Sequence, residues 1–285
     1  TNGGGSFIPQ PVSERIFDLS RANARVMQAG ALTLDMPDGN LTLVRVTGDP
    51  ATAWKAENAS GSHSDVTFAP VELKRKMLFS NVKISLELIY SAGNAEQAVR
   101  NAISQAMGLS MDKAALNGSG TGAEPEGILN TSGIQTVTVG GALSNYADFL
   151  NAVGKLRSVN IADADMDALV HSRVATDLEG LQDSDTNPLV PPRPIRQMQD
   201  DNRWHITNQL PLGGSPETSD AIVGDFSNVV FGITRQIAIE TSMEAADSTG
   251  SAWMDGQVWV RAYGLMDVAI VKPDHFVHLA DIEVS

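Results

Sequence analysis

The sequence predicts an α+β fold, because its helical and strand-like patterns are separated along the chain. A helical pattern runs from Asn94 to Asn117, strand-like segments crowd the last third of the chain, and the two do not alternate as they do in βαβ proteins. With 285 residues and no internal repeat, the chain has the length for one large domain or two modest ones.

The long helix is predicted from apolar residues spaced three and four apart on one face: Ala95, Val99, Ala102, Ile103, Ala106 and Met107. At about 1.5 Å per residue such a helix is roughly 35 Å long, which is the width of a small domain. Asn94 is a suitable N-cap residue, and Gly118 is predicted to end the helix in a left-handed conformation. We therefore expect this helix to be the element on which the rest of the fold packs.

Two hairpins are expected before the long helix. Strand-like residues 31–36 and 40–46 flank Asp38-Gly39, which is a turn signal for a hairpin. Residues 47–80 then predict a second, longer two-stranded finger whose tip, residues 57–65, is polar. Because an isolated two-stranded ribbon is only marginally stable in water, we expect the finger to lie on a neighbouring copy of the chain.

Residues of the finger and of the N-terminal segment are the candidates for contacts between copies. The N-terminal segment is expected to be an extended arm, because Pro9 and Pro11 exclude a helix there. The basic cluster Lys74-Arg75-Lys76 is unusual in so acidic a chain, and it is either a solvated face or a contact to an acidic patch of a neighbour. The assembly candidates are Phe7, Ile8, Trp54, Phe68, Lys74, Arg75 and Lys76.

The remainder of the chain predicts two further helices and a strand-rich end. Helical patterns cover residues 145–159 and 173–181, with a short buried strand at 168–170 between them. Residues 183–216 carry six prolines and are expected to be mostly a long surface excursion. Residues 82–90 fit a strand or a short helix, and Ser85 followed by Leu86-Glu87-Leu88-Ile89 favours the helix. Strands are expected at 134–139, 221–224, 229–233, 238–241, 258–263 and 268–271.

Composition excludes several classes of function. The chain has 34 acidic and 20 basic residues, a formal net charge of −14, which disfavours non-specific binding of nucleic acid. It has no cysteine, so disulfides, thiolate metal sites and cysteine nucleophiles are excluded. It also lacks any run of eighteen apolar residues, so no membrane partner is expected.

Candidate chemical sites are each better explained as structure. The glycine-rich run 118–127 follows a helix and contains no Lys, so it predicts a helix end and turn and not a phosphate loop. Glu124 and Glu126 within it could act as acid and base, but no pocket pattern surrounds them. His275 and His278 would lie on opposite faces of a strand, without a third ligand.

A calcium loop is also not supported. Asp163, Asp165 and Asp167 match its first positions, but Ala168 and Val174 stand where the loop needs Gly and Glu. The sequence therefore predicts no catalytic residue, no cofactor and no metal site.

Several motifs, in order, resemble one protein family. A helix ending in Leu116-Asn117-Gly118-Ser119-Gly120-Thr121-Gly122, followed by Glu124-Pro125-Glu126-Gly127-Ile128-Leu129, is similar to the signature of major capsid proteins of tailed bacteriophages with the Hong Kong 97 fold. Further segments match the same family in the same order along the chain. They are the opening glycine tract with Ile8-Pro9, the finger, Asp148-Phe149-Leu150, Asp225-Phe226-Ser227 and the C-terminal stretch from Trp259 to Leu279. Together these pieces cover nearly the whole chain.

The resemblance implies a domain plan and a set of partners. It implies an N-terminal arm (1–24), an extended loop (47–80), a peripheral domain (25–46, 81–129 and 261–285) and an axial domain (130–260). It further implies hexamers and pentamers of the chain in an icosahedral shell around double-stranded DNA, built in the bacterial host cytoplasm.

The implied partners are other copies of the chain, a portal, a scaffold or maturation protease, a possible decoration protein, and weak non-specific contact with the packaged DNA. Thr1 with Gly3-Gly4-Gly5 would suit a processed N-terminus. The Lys–Asn cross-link of one family member is not expected, because no Asn follows Asn228.

Two other functions remain open on the sequence alone. The same fold serves encapsulin-like nanocompartments, which enclose protein cargo in place of DNA. A soluble hydrolase using Glu124, Glu126 and the carboxylates at Asp163 to Asp167 is a remote alternative.

Overall fold

The computed structural model describes residues 24–48, 52, 54, 55, 57, 65–91, 95–248 and 250–284. The arm candidates Phe7 and Ile8 and the expected N-cap residue Asn94 lie outside these residues. The described helices are α1 (Arg25–Gln28), α2 (Leu86–Ser91), α3 (Ala95–Asn117), α4 (Ala147–Ser158), α5 (Ser172–Glu179) and α6 (Arg193–Asp200).

The described strands form two large sheets and two ribbons. They are β1 (Leu32–Asp35), β2 (Asn40–Gly48), β3 (Thr67–Lys74), β4 (Lys76–Ser85), β5 (Gln135–Ala142), β6 (Asp167–His171), β7 (Trp204–Thr207), β8 (Leu212–Gly213), β9 (Thr218–Gly224), β10 (Val229–Ser242), β11 (Ala246–Asp247), β12 (Gly250–Ser251), β13 (Gln257–Ile270) and β14 (Phe276–Glu283). The structure combines helices with sheets, and the predicted α+β class is confirmed.

The first sheet has four strands in the order β1-β10-β13-β4. Its inner face packs on the long helix α3 in one hydrophobic cluster that includes Ile103, Met107, Phe231 and Val260. Residues 229–233 and 238–241, which the sequence divides into two strands, form one strand, β10, with register shifts against β13 between Ile233 and Ala238. A β-bulge bends a strand without ending it, which the local pattern does not show.

The long helix is confirmed, but its buried face is rotated slightly about the helix axis from the predicted face. Ile103 and Met107 are buried as expected, whereas Ala102 and Ala106 are exposed. The stripe continues through Met111 and Ala115, so four-residue steps define the core face along the second half of the helix.

The end of α3 is fixed by two glycines for a reason that the sequence reading missed. Gly118 is outside the left-handed region, so the prediction of a left-handed end is wrong. A Cβ on Gly118 would instead meet the carbonyl oxygens of Pro125 and Ala114 at 2.5 Å or less. The loop folds back so closely that Ser119 pairs with Glu126 and the amide of Gly127 donates to the carbonyl of Gly118 (2.9 Å).

The second sheet has six strands, in the order β5-β14-β9-β6-β7, with β8 added on β9. Helices α4, α5 and α6 bury Phe149, Leu156, Val174 and Ile195 against it in a second cluster. The expectation of a surface excursion over residues 183–216 is wrong in part, because that range contains α6 and the edge strand β7. Pro194 lies at the first turn of α6, where a proline is compatible with a helix.

The expected hairpin between residues 31–36 and 40–46 is also wrong. The Asp38-Gly39 turn is present, but β1 pairs in parallel with β10, and β2 pairs antiparallel with β3. The turn therefore joins strands of different sheets. The segment 82–90 combines both alternatives, since strand β4 ends at Ser85 and helix α2 begins at Leu86.

The chain passes repeatedly between the two large sheets. Strand β14 lies within the range 261–285 expected for a peripheral domain, yet it pairs with β5 and β9 in the six-stranded sheet. Strand β10 lies within the range 130–260 expected for an axial domain, yet it is central in the four-stranded sheet. Alternation of residue types does not indicate which sheet a strand joins.

Candidate assembly surface

The ribbon formed by β2 and β3 has one face packed on its own subunit. Opposite residues of an antiparallel pair share a face, and the pairs Leu41–Leu73 and Leu43–Val71 face inward. They pack in a cluster with Met36, Val230 and Ala269. The base of the ribbon is therefore held by the four-stranded sheet.

The other face of the ribbon is apolar and exposed. Val44 lies opposite Pro70, and Val46 lies opposite Phe68. The exposed fractions of Val44, Val46 and Phe68 are 65%, 47% and 62%. These four residues, Val44, Val46, Phe68 and Pro70, are called the outer hairpin patch below. Two adjacent cross-strand pairs of apolar side chains in water are typical of a surface that another protein covers.

Trp54 lies between β2 and β3 in the sequence, in a range where few residues are described. Its side chain is fully exposed, at 105%. A large aromatic residue of this kind is the type most enriched among energetically important interface residues.

The three residues of the basic cluster differ in their surroundings: Lys76 makes contacts within its own subunit, whereas Lys74 and Arg75 lie at the surface. Lys76 makes an ion pair with the buried carboxylate of Asp267 (Nζ–Oδ1 3.8 Å) and donates to the carbonyl oxygen of Glu124 (2.7 Å). Lys74 and Glu72 form an exposed pair at 2.5 Å, whose hydrogen bond raises the pKa of Lys74. The exposed Arg75 lies over Gly39. Lys74 and Arg75 thus remain accessible to a neighbour, whereas Lys76 serves its own subunit.

We expect the double variant Lys74→Ser with Arg75→Ser to weaken assembly more at low ionic strength than at high. Exposed charges are screened by salt over about 8 Å at physiological ionic strength, so an electrostatic contact loses its value as salt rises. The measurement is light scattering during assembly at a series of salt concentrations. Identical assembly of variant and parent across the series would remove the electrostatic contact.

Two of the carboxylates considered for catalysis, Glu124 and Asp163, have structural partners. Glu124 accepts hydrogen bonds from the hydroxyl (2.7 Å) and the amide (3.2 Å) of Ser119, and the hydroxyl bond lowers the pKa of Glu124. Asp163 pairs with Arg157, and this hydrogen bond lowers the pKa of Asp163. Both groups are therefore fixed as ions that hold loops in place.

His275 and His278 each lie near an aspartate, but His275 belongs to the short helical turn Pro273–His275 that precedes β14, so the prediction that both lie on one strand is wrong. His275 lies 3.6 Å from Asp225, and His278 lies 3.3 Å from Asp220. Among the residues that the structure describes, no group of three or more His, Cys, Asp or Glu is arranged to hold a metal ion. In those same ranges, no helix is both long and apolar enough to cross a membrane.

Sequence reasoning missed part of the exposed apolar surface. Val44, Val46 and Pro70 were read as ordinary strand residues, because alternation shows two faces but not which face is covered. Trp253 and Met254, at the turn between β12 and β13, are 75% and 83% exposed and were not singled out. Two adjacent large apolar residues in a polar turn were the available signal.

Sequence comparisons agree on one family. The model of the phage capsid family matches residues 4–281. A major capsid protein of Klebsiella oxytoca phage phiKO2 is 27% identical over 292 residues, covering 96% of this chain and 67% of that relative.

Comparisons with solved structures give the fold. A chain from Mycobacterium phage Adephagia matches with a TM-score of 0.71 and 16% identity, covering 91% of this chain and 89% of that one. The capsid of a native GTA particle matches with a TM-score of 0.68 and 15% identity, covering 99% of this chain and 94% of that one. A chain from Mycobacterium phage Ogopogo matches with a TM-score of 0.69 and 18% identity, covering 91% of each chain.

The family match spans nearly the whole chain and the fold match agrees with it. The chain therefore belongs to the phage capsid family, the structural, non-enzymatic major capsid proteins of tailed bacteriophages with the Hong Kong 97 fold.

Proposed function

We propose that copies of this chain assemble as hexamers and pentamers into an icosahedral shell that encloses phage double-stranded DNA. The observation that carries the proposal is the outer hairpin patch, which no part of its own subunit covers among the described residues. A patch on one copy and a different acceptor surface on the next make a heterologous contact, and such contacts close into rings and shells when the rotation between copies allows it.

The size of the required contact also favours an extended ribbon. A specific interface buries at least about 1,000 Å² in total. A two-stranded ribbon exposes both edges and one whole face, so it provides this area with few residues. The adjacent exposed Trp54 would add a large apolar anchor to the same contact.

The charge of the chain fits a container for DNA. A formal charge of −14 keeps the average interaction between wall and packaged DNA weak, so the DNA can enter and leave. The shell would form in the cytoplasm of the host and remain in the virion. A portal, a scaffold or maturation protease and a possible decoration protein belong to this proposal through the family resemblance.

The domain plan is part of the proposal. We assign the arm to residues 1–24 and the extended loop to residues 47–80, and we extend the loop to the start of its ribbon at Asn40, while residues 76–80 belong to β4 of the four-stranded sheet. The two hydrophobic clusters support a peripheral domain around the four-stranded sheet and an axial domain around the six-stranded sheet. Boundaries that follow the sheets then differ from 130–260 and 261–285 at β10, β13 and β14.

The test is assembly of the purified full chain, followed by negative-stain microscopy and sedimentation. Uniform polyhedral particles are expected, and particles recovered from phage-producing cells should protect double-stranded DNA from nuclease. A folded chain that stays monomeric at all concentrations would contradict the shell. Particles that hold protein cargo in place of DNA would favour the nanocompartment.

A further inference from the structure

A buried carboxylate joins three parts of the subunit. Asp112 of α3 has no exposed surface. Its Oδ1 atom accepts a hydrogen bond from the backbone amide of Val26 (2.8 Å). Its Oδ2 atom accepts a weaker one from the hydroxyl of Thr207 (3.4 Å) at the end of β7.

These partners come from separate elements, and the hydrophobic cluster that contains Val26 and Met107 also includes Leu169 and Ile222 of the six-stranded sheet. Helix α1, with Arg25 and Val26, is the first described element of the chain, and it lies between α3 and β7. Helix α3 belongs to the cluster of the four-stranded sheet, and β7 is the edge strand of the six-stranded sheet. The carboxylate of Asp112 therefore fixes the relative position of α1 and the two large sheets.

Few opposite charges lie near the carboxylate of Asp112 among the described residues. The charged side chain that acts on it from α1 is that of Arg25, whose guanidinium donates to Gln28 (2.6 Å) and lies at the surface. On β7 the titratable residue is His205, which lies against Asp167 (3.4 Å). Lys113, the neighbour of Asp112 on α3, is exposed. A buried charge held by neutral donors costs free energy that an uncharged group of the same shape does not cost.

We propose that Asp112 is an acid-strengthened anchor, which holds α1 and the two sheets together more tightly when it is protonated than when it is charged. Protonation removes the buried charge and leaves a carbonyl oxygen to accept from Val26. The anchor is a property of the single subunit, so it holds whether or not the chain assembles.

The direction of the pH effect follows from burial. Burial raises the pKa of Asp112 by more than its hydrogen bonds and Arg25 lower it. A carboxyl whose pKa is higher in the folded than in the unfolded state stabilises the fold at acid pH, and this contribution is lost as pH rises through the folded value. The subunit should therefore lose stability from this group as pH rises from the unfolded pKa of about 4 through the higher folded pKa, opposite to the usual behaviour of a paired carboxylate.

The decisive variant is Asp112→Asn in the unassembled full chain. Asn keeps the shape and the acceptor oxygen but cannot ionise. The ratio of the unfolding constants of parent and variant, measured by urea unfolding, should rise with pH by about tenfold for each unit by which the pKa is raised. Taking the ratio cancels the pH dependence of all groups that the parent and the variant share. A ratio that does not change with pH would overturn the proposal.

Asp163→Asn is the matched control, for which the pH dependence of stability relative to the parent should have the opposite sign. The hydrogen bond from Arg157 lowers the pKa of Asp163, so the parent should gain stability relative to this variant as pH rises. The gain should be small because the pair is largely exposed.

A direct reading is the titration of the Asp112 carboxyl carbon by NMR. Its midpoint should lie above that of an unfolded Asp, and Thr207→Val should move it higher, since the hydroxyl bond lowers this pKa. A midpoint at or below the unfolded value, or no movement in the Thr207 variant, would contradict the anchor.

Discussion

The Gly127→Ala variant is expected to lose about 3 kcal/mol of folding free energy or more, and to accumulate as misfolded protein. A Cβ on Gly127 would lie 2.8 Å from the amide nitrogen of Asn117 and from the carbonyl carbon of Leu116, and closer still to the amide nitrogen of Gly118. These are backbone atoms at the end of α3, so no side chain can rotate away to make room. The measurement is urea unfolding of the purified full chain followed by circular dichroism.

The matched control for this variant is Gly154→Ala. Gly154 lies within α4, its Cβ would meet no atom within 4 Å, and its φ is not positive. Alanine has a higher helix propensity than glycine, so this variant should be stabilised by about 0.5 to 1 kcal/mol. Equal stability of the two variants would show that the close return of the glycine-rich loop to α3 does not hold.

The second large effect is expected on assembly and not on folding. The double variant Val46→Ser with Phe68→Ser removes one cross-strand pair of the outer hairpin patch. Burying a Val or a Phe contributes roughly 1.5 to 3 kcal/mol each, so about 3 kcal/mol should be lost from every contact between copies. This corresponds to roughly a hundredfold higher protein concentration at the onset of assembly. Light scattering against concentration measures that onset.

The control for assembly lies on the same face of the same ribbon. Thr42 is exposed among the polar residues nearer the base, and Thr42→Ala should leave the onset of assembly unchanged. Because Val46 and Phe68 are exposed in the subunit, the free energy of unfolding of the double variant should differ from that of the parent by no more than about 1 kcal/mol. Normal assembly of the double variant would remove the outer hairpin patch from the interface.

The long helix and the strand-rich end could be predicted because their signals are local. Helix α3 carries apolar residues at helical spacing over more than six turns, and β13 alternates and then becomes continuously apolar. Phe149 and Leu156 of α4 are buried as their spacing indicates. In each case the residues that set the structure are neighbours in sequence.

Pairing between distant strands could not be predicted. The Asp38-Gly39 turn is the same in a hairpin and in a connection between two sheets, and the parallel partner of β1 lies nearly two hundred residues away, at Val230 to Ile233. The prediction for 183–216 fails because a proline usually ends a helix or strand, whereas Pro194 lies in the first turn of a helix that buries Ile195 and Met198.

The candidate surface was predicted only in outline. Phe68 and Trp54 were identified, and both are exposed, but the identity of the partner surface remains a prediction. Val44 and Val46 lie on the opposite face from Leu41 and Leu43, and only the packing of Leu73 against Met36 and Val230 shows which face is covered. Lys76 was grouped with Lys74 by adjacency, although it pairs with Asp267, almost two hundred residues away.

The central claim is that neighbouring copies complete the surface that one subunit leaves open. The most direct measurement is a cryo-electron microscopy reconstruction of the assembled particle at a resolution that shows side chains. We expect Val44, Val46 and Phe68 of each subunit to be buried against an adjacent copy. A closed shell in which these three side chains remain in contact with solvent would contradict the account.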